Sequence, residues 1–328
     1  MKRIGLHHIG ILGAGAWGTA LAALAAEKGE AVLWARDAGL AAEINATKRN
    51  EPYLPGIALP DSLKATASLD ELKACDAILL AMPSQTARHY AGLLGAGKPL
   101  VLTAKGIEID SGKLLSQVIE EAAPGAPLAV LTGPTFAAEV ARGLPAAATL
   151  ACANTELAQA LSERLSRPTF RLYAGDDIIG AQIGGAVKNV LAIACGIVIG
   201  RQLGDNARAA LITRGLAEMA RLCQALGGRP DTMMGLSGLG DLVLTCSGPQ
   251  SRNLSLGLAL GQGKTLQEYQ AGKRSIAEGQ FTARALHGLC ARLGLDMPIS
   301  AAVHAILHQG AAIDTTIAAL LARPLKTE

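Results

Sequence analysis

Residues 9–18 constrain the fold of this chain more than any other stretch. They read Ile-Gly-Ile-Leu-Gly-Ala-Gly-Ala-Trp-Gly, so a short apolar run leads into Gly-x-Gly-x-x-Gly, and a helical pattern rich in alanine and leucine follows over 19–27. A strand, a glycine turn and a helix N-terminus in this order form a cradle for a pyrophosphate. Gly13 permits the tight turn, Gly15 lets the backbone approach the phosphates, and Gly18 lets helix and strand pack closely. Unpaired amides and the positive end of the helix dipole attract the anion, so the sequence predicts a dinucleotide site.

The same stretch also has some features of a targeting segment. Two basic residues precede an uncharged span over 9–26 that ends in small residues. Two histidines interrupt its start, however, and the glycines suit a turn better than a membrane helix. A later apolar run over 190–200 is too short to cross a bilayer and stops at Arg201. We therefore expect a cytoplasmic protein with no membrane insertion.

The composition narrows the class of protein. A length of 328 residues favours two domains, and the core must be built from small aliphatic side chains because aromatic residues make up only 3%. The net charge of +3 is too balanced for an electrostatic nucleic-acid binder, although a local basic pocket for a phosphorylated metabolite is compatible with it. The cysteines are dispersed without a Cys-x-x-Cys pair and are expected to be buried thiols in a reducing compartment: Cys75, Cys152, Cys195, Cys223, Cys246 and Cys290.

Strand and helix patterns alternate in the first half of the chain. This alternation predicts an α/β fold with a doubly wound, parallel sheet of the Rossmann type. Ligands of such sheets bind beyond the carboxyl ends of the strands, where Arg36, Lys105 and Thr135 are expected to line a crevice. The predicted strands are His8–Leu12, 31–35, 77–81, 99–103 and 128–131, with Ala146–Cys152 and 170–173 as further candidates.

Strand signals end near residue 176, and long runs rich in alanine, leucine and isoleucine follow. They predict an all-helical second domain, so we divide the chain into a dinucleotide-binding domain over 1–175 and a helical substrate or catalytic domain over 176–328. The predicted helices cover 178–199, 207–226, 251–260, 282–293 and 301–308.

The end of the second strand bears on the choice of nucleotide. An acidic residue at this place binds the ribose 2′-hydroxyl of NAD, whereas an arginine accommodates the 2′-phosphate of NADP. Here the strand ends in Arg36 and Asp37. Arg36 can stack on adenine and pair with the phosphate, so NADPH is the expected cofactor. NADH stays open, because Asp37 could accept from a hydroxyl if it turns inward.

Several motifs occur together and in order along the chain. A lysine lies among small and apolar residues in 184–190, where burial of an ammonium is costly unless the charge is used or paired. Gly-Pro-Thr-Phe-Ala at 133–137, Gly-Leu-Gly-Asp-Leu at 238–242, Ser-Arg-Asn at 251–253 and Ala-Glu-Gly at 277–279 accompany it. Together these motifs resemble the bacterial NAD(P)-dependent glycerol-3-phosphate dehydrogenase family over nearly the whole chain. The chain departs from that family at Ile199, where an acid is usual, and at Arg201, where an aliphatic residue is usual.

The resemblance implies reversible hydride transfer between NAD(P)H and C2 of dihydroxyacetone phosphate, giving sn-glycerol 3-phosphate for phospholipid synthesis. It implies that Lys188 is the proton acceptor, with a pKa that burial and the cations of Lys105 and Arg252 could lower. The implied substrate contacts are Lys105, Gly133, Thr135, Lys188, Asp241, Ser251, Arg252 and Asn253. The expected cofactor contacts are Gly13, Gly15, Ala16, Trp17, Gly18, Arg36, Lys105, Ala137, Arg252, Ile276 and Glu278.

Two other functions stay open at this point. A related 3-hydroxyacid or 6-phosphogluconate-type dehydrogenase also joins a Rossmann domain to a helical domain bearing a lysine. The loop over 238–241 and Ser251-Arg252-Asn253 argue against it. A nucleotide-sensing protein without catalysis would need neither Lys105 nor Lys188. The motifs leave the oligomeric state open, with a homodimer among the options.

Two weaker candidates, a pair of histidines and a cysteine, are expected to have structural rather than functional roles. His304 and His308 have the i,i+4 spacing of metal ligands on a helix, but no acidic partner lies between them, so we expect an exposed helix face and no metal. Cys246 lies near the Asp241 loop, where we expect a packed thiol rather than a nucleophile.

Overall fold

The computed structural model describes residues 4–272 and 276–324. They form two compact units. The first runs up to Lys105 and resumes over Leu114–Gln182, and the second comprises Gly106–Lys113 and the chain from Ile183 onward. This division falls inside a helix, later than the boundary after residue 175 that the sequence suggested, and the domain limits stay a prediction.

The first unit is built around an eight-stranded sheet with the order β10-β9-β8-β7-β6-β1-β2-β5. All seven predicted strands are present, and the doubly wound Rossmann-type class is confirmed. A two-stranded hairpin, β3–β4, lies outside this sheet. The strands are β1 (His8–Leu12), β2 (Glu30–Trp34), β3 (Arg49–Asn50), β4 (Leu54–Ala58), β5 (Lys64–Thr66), β6 (Ala77–Leu80), β7 (Leu100–Leu102), β8 (Leu128–Thr132), β9 (Ala146–Cys152) and β10 (Phe170–Gly175).

One pair of strands departs from the parallel arrangement. β9 runs antiparallel to β8, while β10 is parallel to β9. A parallel neighbour needs a crossover over the face of the sheet. The connection from β8 contains only the five-residue helix Ala137–Ala141, and the chain turns straight back into β9. The prediction of a wholly parallel sheet was therefore wrong at this edge.

Helices cover both faces of the sheet. Along β1, Ile9 and Ile11 belong to the core on one face, whereas Leu12 belongs to the core on the other, as the two-residue period of a strand requires. The helices of this unit are α1 (Ala16–Ala26), α2 (Ala38–Thr47), α3 (Leu69–Lys73), α4 (Ala87–Leu94), α5 (Leu115–Ala122), α6 (Ala137–Ala141) and α7 (Thr155–Leu165).

A buried arginine on α7 closes the amino-terminal edge of the sheet. The side chain of Arg164 donates to the carbonyls of Leu6, Ala25 and Glu30 at 2.9, 2.7 and 3.1 Å. Its five N–H groups suit several acceptors at once. These bonds offset the burial of the guanidinium.

The second unit is helical, and no strand follows Gly175 in the part of the chain that the structure describes. The six cysteines are buried and free, as expected. The helices are α8 (Ile178–Gly200), α9 (Gly204–Ala225), α10 (Asp241–Ser247), α11 (Arg252–Gly261), α12 (Leu266–Gln270), α13 (Gly279–Leu293), α14 (Pro298–His308) and α15 (Ile313–Leu321).

The central helix α8 confirms the predicted helix over 178–199 and is longer than the apolar run over 190–200 that was weighed as a membrane span. It begins at Ile178, so by length and composition it could span a membrane, with a mean hydropathy of 1.8. However, 89% of that apolar window is buried inside the protein, as in a core helix. Its glycines pack on α11: a Cβ added to Gly196 would meet the backbone of Leu254 and Gly257. Just beyond α8, Arg201 pairs with Asp314 of α15 at 3.0 Å.

Candidate dinucleotide and lysine sites

The glycine-rich turn lies at the carboxyl ends of three neighbouring strands. Gly13 follows β1, has φ +117°, and donates its amide to Trp34 at the end of β2 at 3.1 Å. A Cβ at Gly13 would lie 2.8 Å from the carbonyl oxygen of Ala81, which follows β6. A Cβ at Gly18 would meet the Gly13 carbonyl. Only glycine satisfies these two positions without a shift of the backbone.

The turn ends at the open N-terminus of α1. Gly15 is the N-cap residue of this helix, and having no side chain it offers no acceptor to the first amides. The Thr19 amide donates the first helical hydrogen bond to the Gly15 carbonyl at 2.9 Å. The amides of Ala16, Trp17 and Gly18 therefore have no acceptor within the helix. A Cβ at Gly15 would meet nothing within 4 Å, so the backbone at the start of this helix is uncovered on that side. Such a helix start fits the pyrophosphate of a dinucleotide.

The two charged residues that follow β2, Arg36 and Asp37, have different environments. Arg36 is exposed. Asp37 caps α2, with one carboxylate oxygen accepting from the amides of Gly39 at 2.8 Å and Leu40 at 3.4 Å. Because this oxygen is committed to the helix cap, the charge of Asp37 is directed at backbone amides, while the guanidinium of Arg36 faces solvent.

Three further predicted residues lie together after β7 and β8. The Lys105 ammonium donates to the carbonyl of Gly133 at 3.2 Å, and the hydroxyl of Thr135 donates to the same oxygen at 3.2 Å. Gly133 has φ +156°, and a Cβ there would lie 2.8 Å from the Cα of Ala148. Ala137 begins α6 a few residues on. The carboxyl edge of the sheet thus gathers these residues, as the topology predicts.

In the second unit, a lysine is buried in the core and paired with a carboxylate. Lys188 on α8 is 6% exposed and Asp241 at the start of α10 is 1% exposed. The Lys188 ammonium donates to Asp241 at 2.5 Å and to the hydroxyl of Thr245 at 2.8 Å. The carboxylate offsets the cost of burying the ammonium, and its geometry fixes the direction of the lysine chain. The sequence pattern does not single out Thr245, although its position one turn after Asp241 on the same helix face was visible.

The chain reaches Asp241 through an irregular turn. Residues Leu236–Gly240 form a π-helical turn that leads directly into α10. A Cβ at Gly184 of α8 would meet the Ser237 carbonyl in this turn, so the turn and α8 approach closely. Single π-turns are frequent at functional sites because they shift side chains relative to a regular helix. Here the turn places Asp241 against Lys188.

The start of α11 forms a polar cluster of its own. Ser251 caps the helix and accepts from the Leu254 amide at 3.2 Å, while Arg252 is exposed. The Asn253 amide donates to Asn189 at 2.9 Å, and its oxygen accepts from the Gly279 amide at 2.9 Å. Both ends of the Asn253 side-chain amide therefore have partners, and one partner, Asn189, is the residue that follows Lys188.

The remaining predicted contacts lie at the start of α13. Glu278 precedes the helix and is partly buried, whereas Ile276 is 49% exposed. Gly279, the next residue, connects this segment to Asn253.

The histidine and cysteine candidates are packed groups. His304 is buried and stacks on His287 with ring centroids 4.0 Å apart, so the predicted exposed face of α14 was wrong at this residue. Burial, then the neighbouring histidines His287 and His308, lower the pKa of His304 to about 4. A hydrogen bond with Cys195 and burial raise the pKa of the Cys246 thiol well above its ordinary range. No group of three or more metal-ligating side chains occurs within residues 4–272 and 276–324.

A Rossmann-type unit with a glycine-rich turn before its first helix, followed by a helical unit with a buried lysine–carboxylate pair, is the arrangement of a dinucleotide-dependent dehydrogenase. Two family models match the chain: the N-terminus of NAD-dependent glycerol-3-phosphate dehydrogenase over residues 8–158 and its C-terminus over 177–318. The chain belongs to the NAD-dependent glycerol-3-phosphate dehydrogenase family.

Individual relatives match over nearly their full length. The glycerol-3-phosphate dehydrogenase [NAD(P)+] of Caulobacter vibrioides is 56% identical and covers 98% of both chains. The crystal structure of glycerol-3-phosphate dehydrogenase from Coxiella burnetii is 41% identical, covers 97% of this chain and 99% of that chain, and has a TM-score of 0.93. The yeast enzyme GPD1 is 28% identical, covers 94% and 98% of the two chains, and has a TM-score of 0.80.

The separate environments of Arg36 and Asp37 lead to a prediction about the nucleotide. Arg36→Ala should raise the dissociation constant of NADPH about tenfold to a hundredfold, because a charge-assisted hydrogen bond contributes about 1.5–3 kcal/mol. The dissociation constant of NADH, which lacks the 2′-phosphate, should rise much less. The measurement is a fluorescence titration of both nucleotides, with Arg171→Ala of β10 as an exposed arginine control. Equal losses for both nucleotides would mean that Arg36 contributes only stacking.

Proposed function

We propose that this protein reduces dihydroxyacetone phosphate to sn-glycerol 3-phosphate, reversibly, with NADPH as the preferred cofactor and NADH as an alternative. The observation that carries the proposal is the buried Lys188–Asp241 pair in a member of this family, at the lysine of the matching motif. The product is a precursor of phospholipids, which assigns the enzyme to lipid synthesis.

The first unit offers the groups that would hold the nucleotide. The open turn over Gly13–Gly18 and the free helix start fit the pyrophosphate, and exposed Arg36 fits a 2′-phosphate. When bound, the cofactor supplies the hydride. Lys105 after β7 would place a cation beside the cofactor and the substrate oxygens, where it stabilises developing negative charge. Ala137, Arg252, Ile276 and Glu278 complete the proposed nucleotide contacts.

Lys188 would supply the proton that balances hydride transfer. Reduction of the ketone generates an alkoxide at C2, and a protonated amine close to it can donate one proton through a hydrogen bond. Asp241 and Thr245 hold the nitrogen in one place, so no side-chain rotation is needed at the moment of transfer. In the reverse direction the neutral amine takes the proton of the alcohol.

The second unit also offers groups for the substrate phosphate. Arg252 is exposed next to the helix cap formed by Ser251, and Asn253 is held rigidly by Asn189 and Gly279. A guanidinium at a helix start is a strong phosphate ligand. Asp241, by contrast, would accept from a substrate hydroxyl and hold Lys188. The full set of proposed substrate contacts is Lys105, Gly133, Thr135, Lys188, Asp241, Ser251, Arg252 and Asn253.

The two competing functions do not account for this arrangement as well. A nucleotide sensor has no need for a buried ammonium, whose desolvation is costly. A 3-hydroxyacid dehydrogenase has no use for Arg252 next to a helix cap, because its substrate lacks a phosphate. A 6-phosphogluconate-type dehydrogenase does bind a phosphate, and the substrate test below separates it from the proposal. We further propose a cytoplasmic location, since the six free thiols suit a reducing compartment.

The first test is substrate selection. Purified protein should oxidise NADPH when dihydroxyacetone phosphate is added. In the reverse direction, with NADP+, it should oxidise sn-glycerol 3-phosphate and ignore both short 3-hydroxyacids, which lack a phosphate, and 6-phosphogluconate, whose phosphate lies farther from the reacting hydroxyl. Steady-state absorbance at the nicotinamide band gives the result, with NADPH and NADH compared for reduction and NADP+ and NAD+ for oxidation. Comparable turnover of a non-phosphorylated hydroxyacid would overturn the assignment.

The second test removes the proposed proton donor. Lys188→Ala should leave the dissociation constant of NADPH nearly unchanged and lower kcat on the order of 100-fold or more, the size of a lost acid–base step. Lys264→Ala, which removes an exposed lysine of the same unit, is the matched control and should retain kcat. Near-normal turnover of Lys188→Ala at saturating substrate would mean that another group handles the proton.

A further inference from the structure

The hairpin β3–β4 contributes a buried amide to the glycine-rich turn. A doubly wound sheet does not need this hairpin, which lies outside the eight main strands. Asn50, its last β3 residue, is 0% exposed. Its side-chain nitrogen donates to the carbonyl of Ala14 at 3.0 Å and to the hydroxyl of Thr19 at 2.7 Å. One amide group therefore joins the turn to the first part of α1.

The bond to Ala14 fixes the orientation of a single peptide unit. A trans peptide is planar, so its carbonyl and its N–H point in opposite directions. The carbonyl of Ala14 is directed at the buried Asn50, and the amide of Gly15 is consequently directed the other way. Gly15 has open space on its Cβ side, with nothing within 4 Å. Asn50 thus aims a backbone donor of the turn away from the protein interior, where an anion can accept from it.

The hairpin itself is held firmly in place. Leu54 and Ile57 of β4 are buried and pack in one cluster with Trp17 and Ala20 of α1. Alanines of α6, beginning at Ala137, belong to the same cluster. Because β4 packs on α1, which begins directly after the turn, the hairpin keeps Asn50 at a constant position relative to the turn.

A purely structural role explains Asn50 less well. Its side-chain oxygen is buried and makes no hydrogen bond within the described residues. A buried amide with an unsatisfied acceptor is destabilising, so the two bonds donated to Ala14 and Thr19 must offset the burial of this side chain. The donor end, by contrast, makes one bond to the glycine-rich turn, at Ala14, and one to Thr19 of α1. This difference between the two ends of the amide indicates that Asn50 serves the conformation of the turn.

We propose that Asn50 is a positioning residue for dinucleotide binding: it orients the peptide between Ala14 and Gly15 so that the turn presents its amides to the pyrophosphate. This inference rests on the proposed nucleotide-dependent function. Since NADPH and NADH share the pyrophosphate, loss of Asn50 should weaken both to the same extent. That symmetry distinguishes Asn50 from Arg36, whose loss should affect mainly NADPH.

The experiment compares Asn50→Leu with a matched variant of the same unit. The amide of Asn45 on α2 also makes two bonds, donating to the Ala65 carbonyl at 2.7 Å and accepting from the Ala65 amide at 2.8 Å, away from the turn. Asn45→Leu therefore removes a similar set of bonds without touching the nucleotide turn. Thr19→Val, which removes the second partner of Asn50, provides an independent variant if Asn50→Leu does not fold.

Dissociation constants for NADPH and NADH are measured by fluorescence titration in the absence of substrate, together with the unfolding midpoint and kcat at saturating nucleotide. Asn50→Leu should raise both dissociation constants about tenfold, and Thr19→Val about threefold, while kcat stays within about twofold of wild type. Asn45→Leu should lower only the unfolding midpoint. Unchanged dissociation constants in a folded Asn50→Leu protein would overturn this inference and leave the proposed function intact. If Asn50→Leu does not fold, unchanged dissociation constants in Thr19→Val would do the same. An equal rise of the dissociation constants in Asn45→Leu would also overturn it. Failure of the wild type to bind either nucleotide would overturn the proposed function as well.

Discussion

The pairing of the Lys188 ammonium with the Asp241 carboxylate is the interaction on which the second unit depends. Both side chains are almost fully buried and lie 2.5 Å apart. An unpaired charge at such a place costs several kcal/mol, and loss of one partner of a buried pair costs about 3–5 kcal/mol. The helices that carry the two groups must therefore be held in a fixed relation. The close approach of Gly184 to the turn before Asp241 meets this requirement.

The first unit depends on a different constraint, the direction of its strands. Because β1, β2, β6, β7 and β8 are parallel, their carboxyl ends lie along one edge. The glycine turn, Arg36, Lys105 and Thr135 follow four of these ends. Arg164 closes the opposite edge with bonds to backbone carbonyls. We propose that the first unit supplies backbone donors for an anion and that the second unit supplies an oriented ammonium.

The sequence predicted the parts of the fold whose signals are local. The glycine spacing identified the turn, and the end of strand signals identified the helical unit. The two-residue strand β3 is too short to give a period, and Pro55 and Gly56 within β4 indicate a loop. Asn50 was missed for this reason, since its partners Ala14 and Thr19 are distant in the chain. Thr245 was missed because a single threonine on a short helix carries no pattern. The antiparallel β9 depends on how the chain returns after α6, which residue type alone does not determine.

Chemical rescue tests most directly whether Lys188 donates a proton or merely contributes a charge. Lys188→Ala leaves room beside Asp241 for a small ammonium ion, so methylammonium and ethylammonium should restore part of the turnover in a concentration-dependent manner. Among small amines of similar size, the rate constant should vary with the pKa of the amine, as general acid–base catalysis requires. Tetramethylammonium, which has a charge but no N–H, should restore nothing. Equal rescue by tetramethylammonium, or no rescue of a folded variant that binds NADPH, would contradict the account.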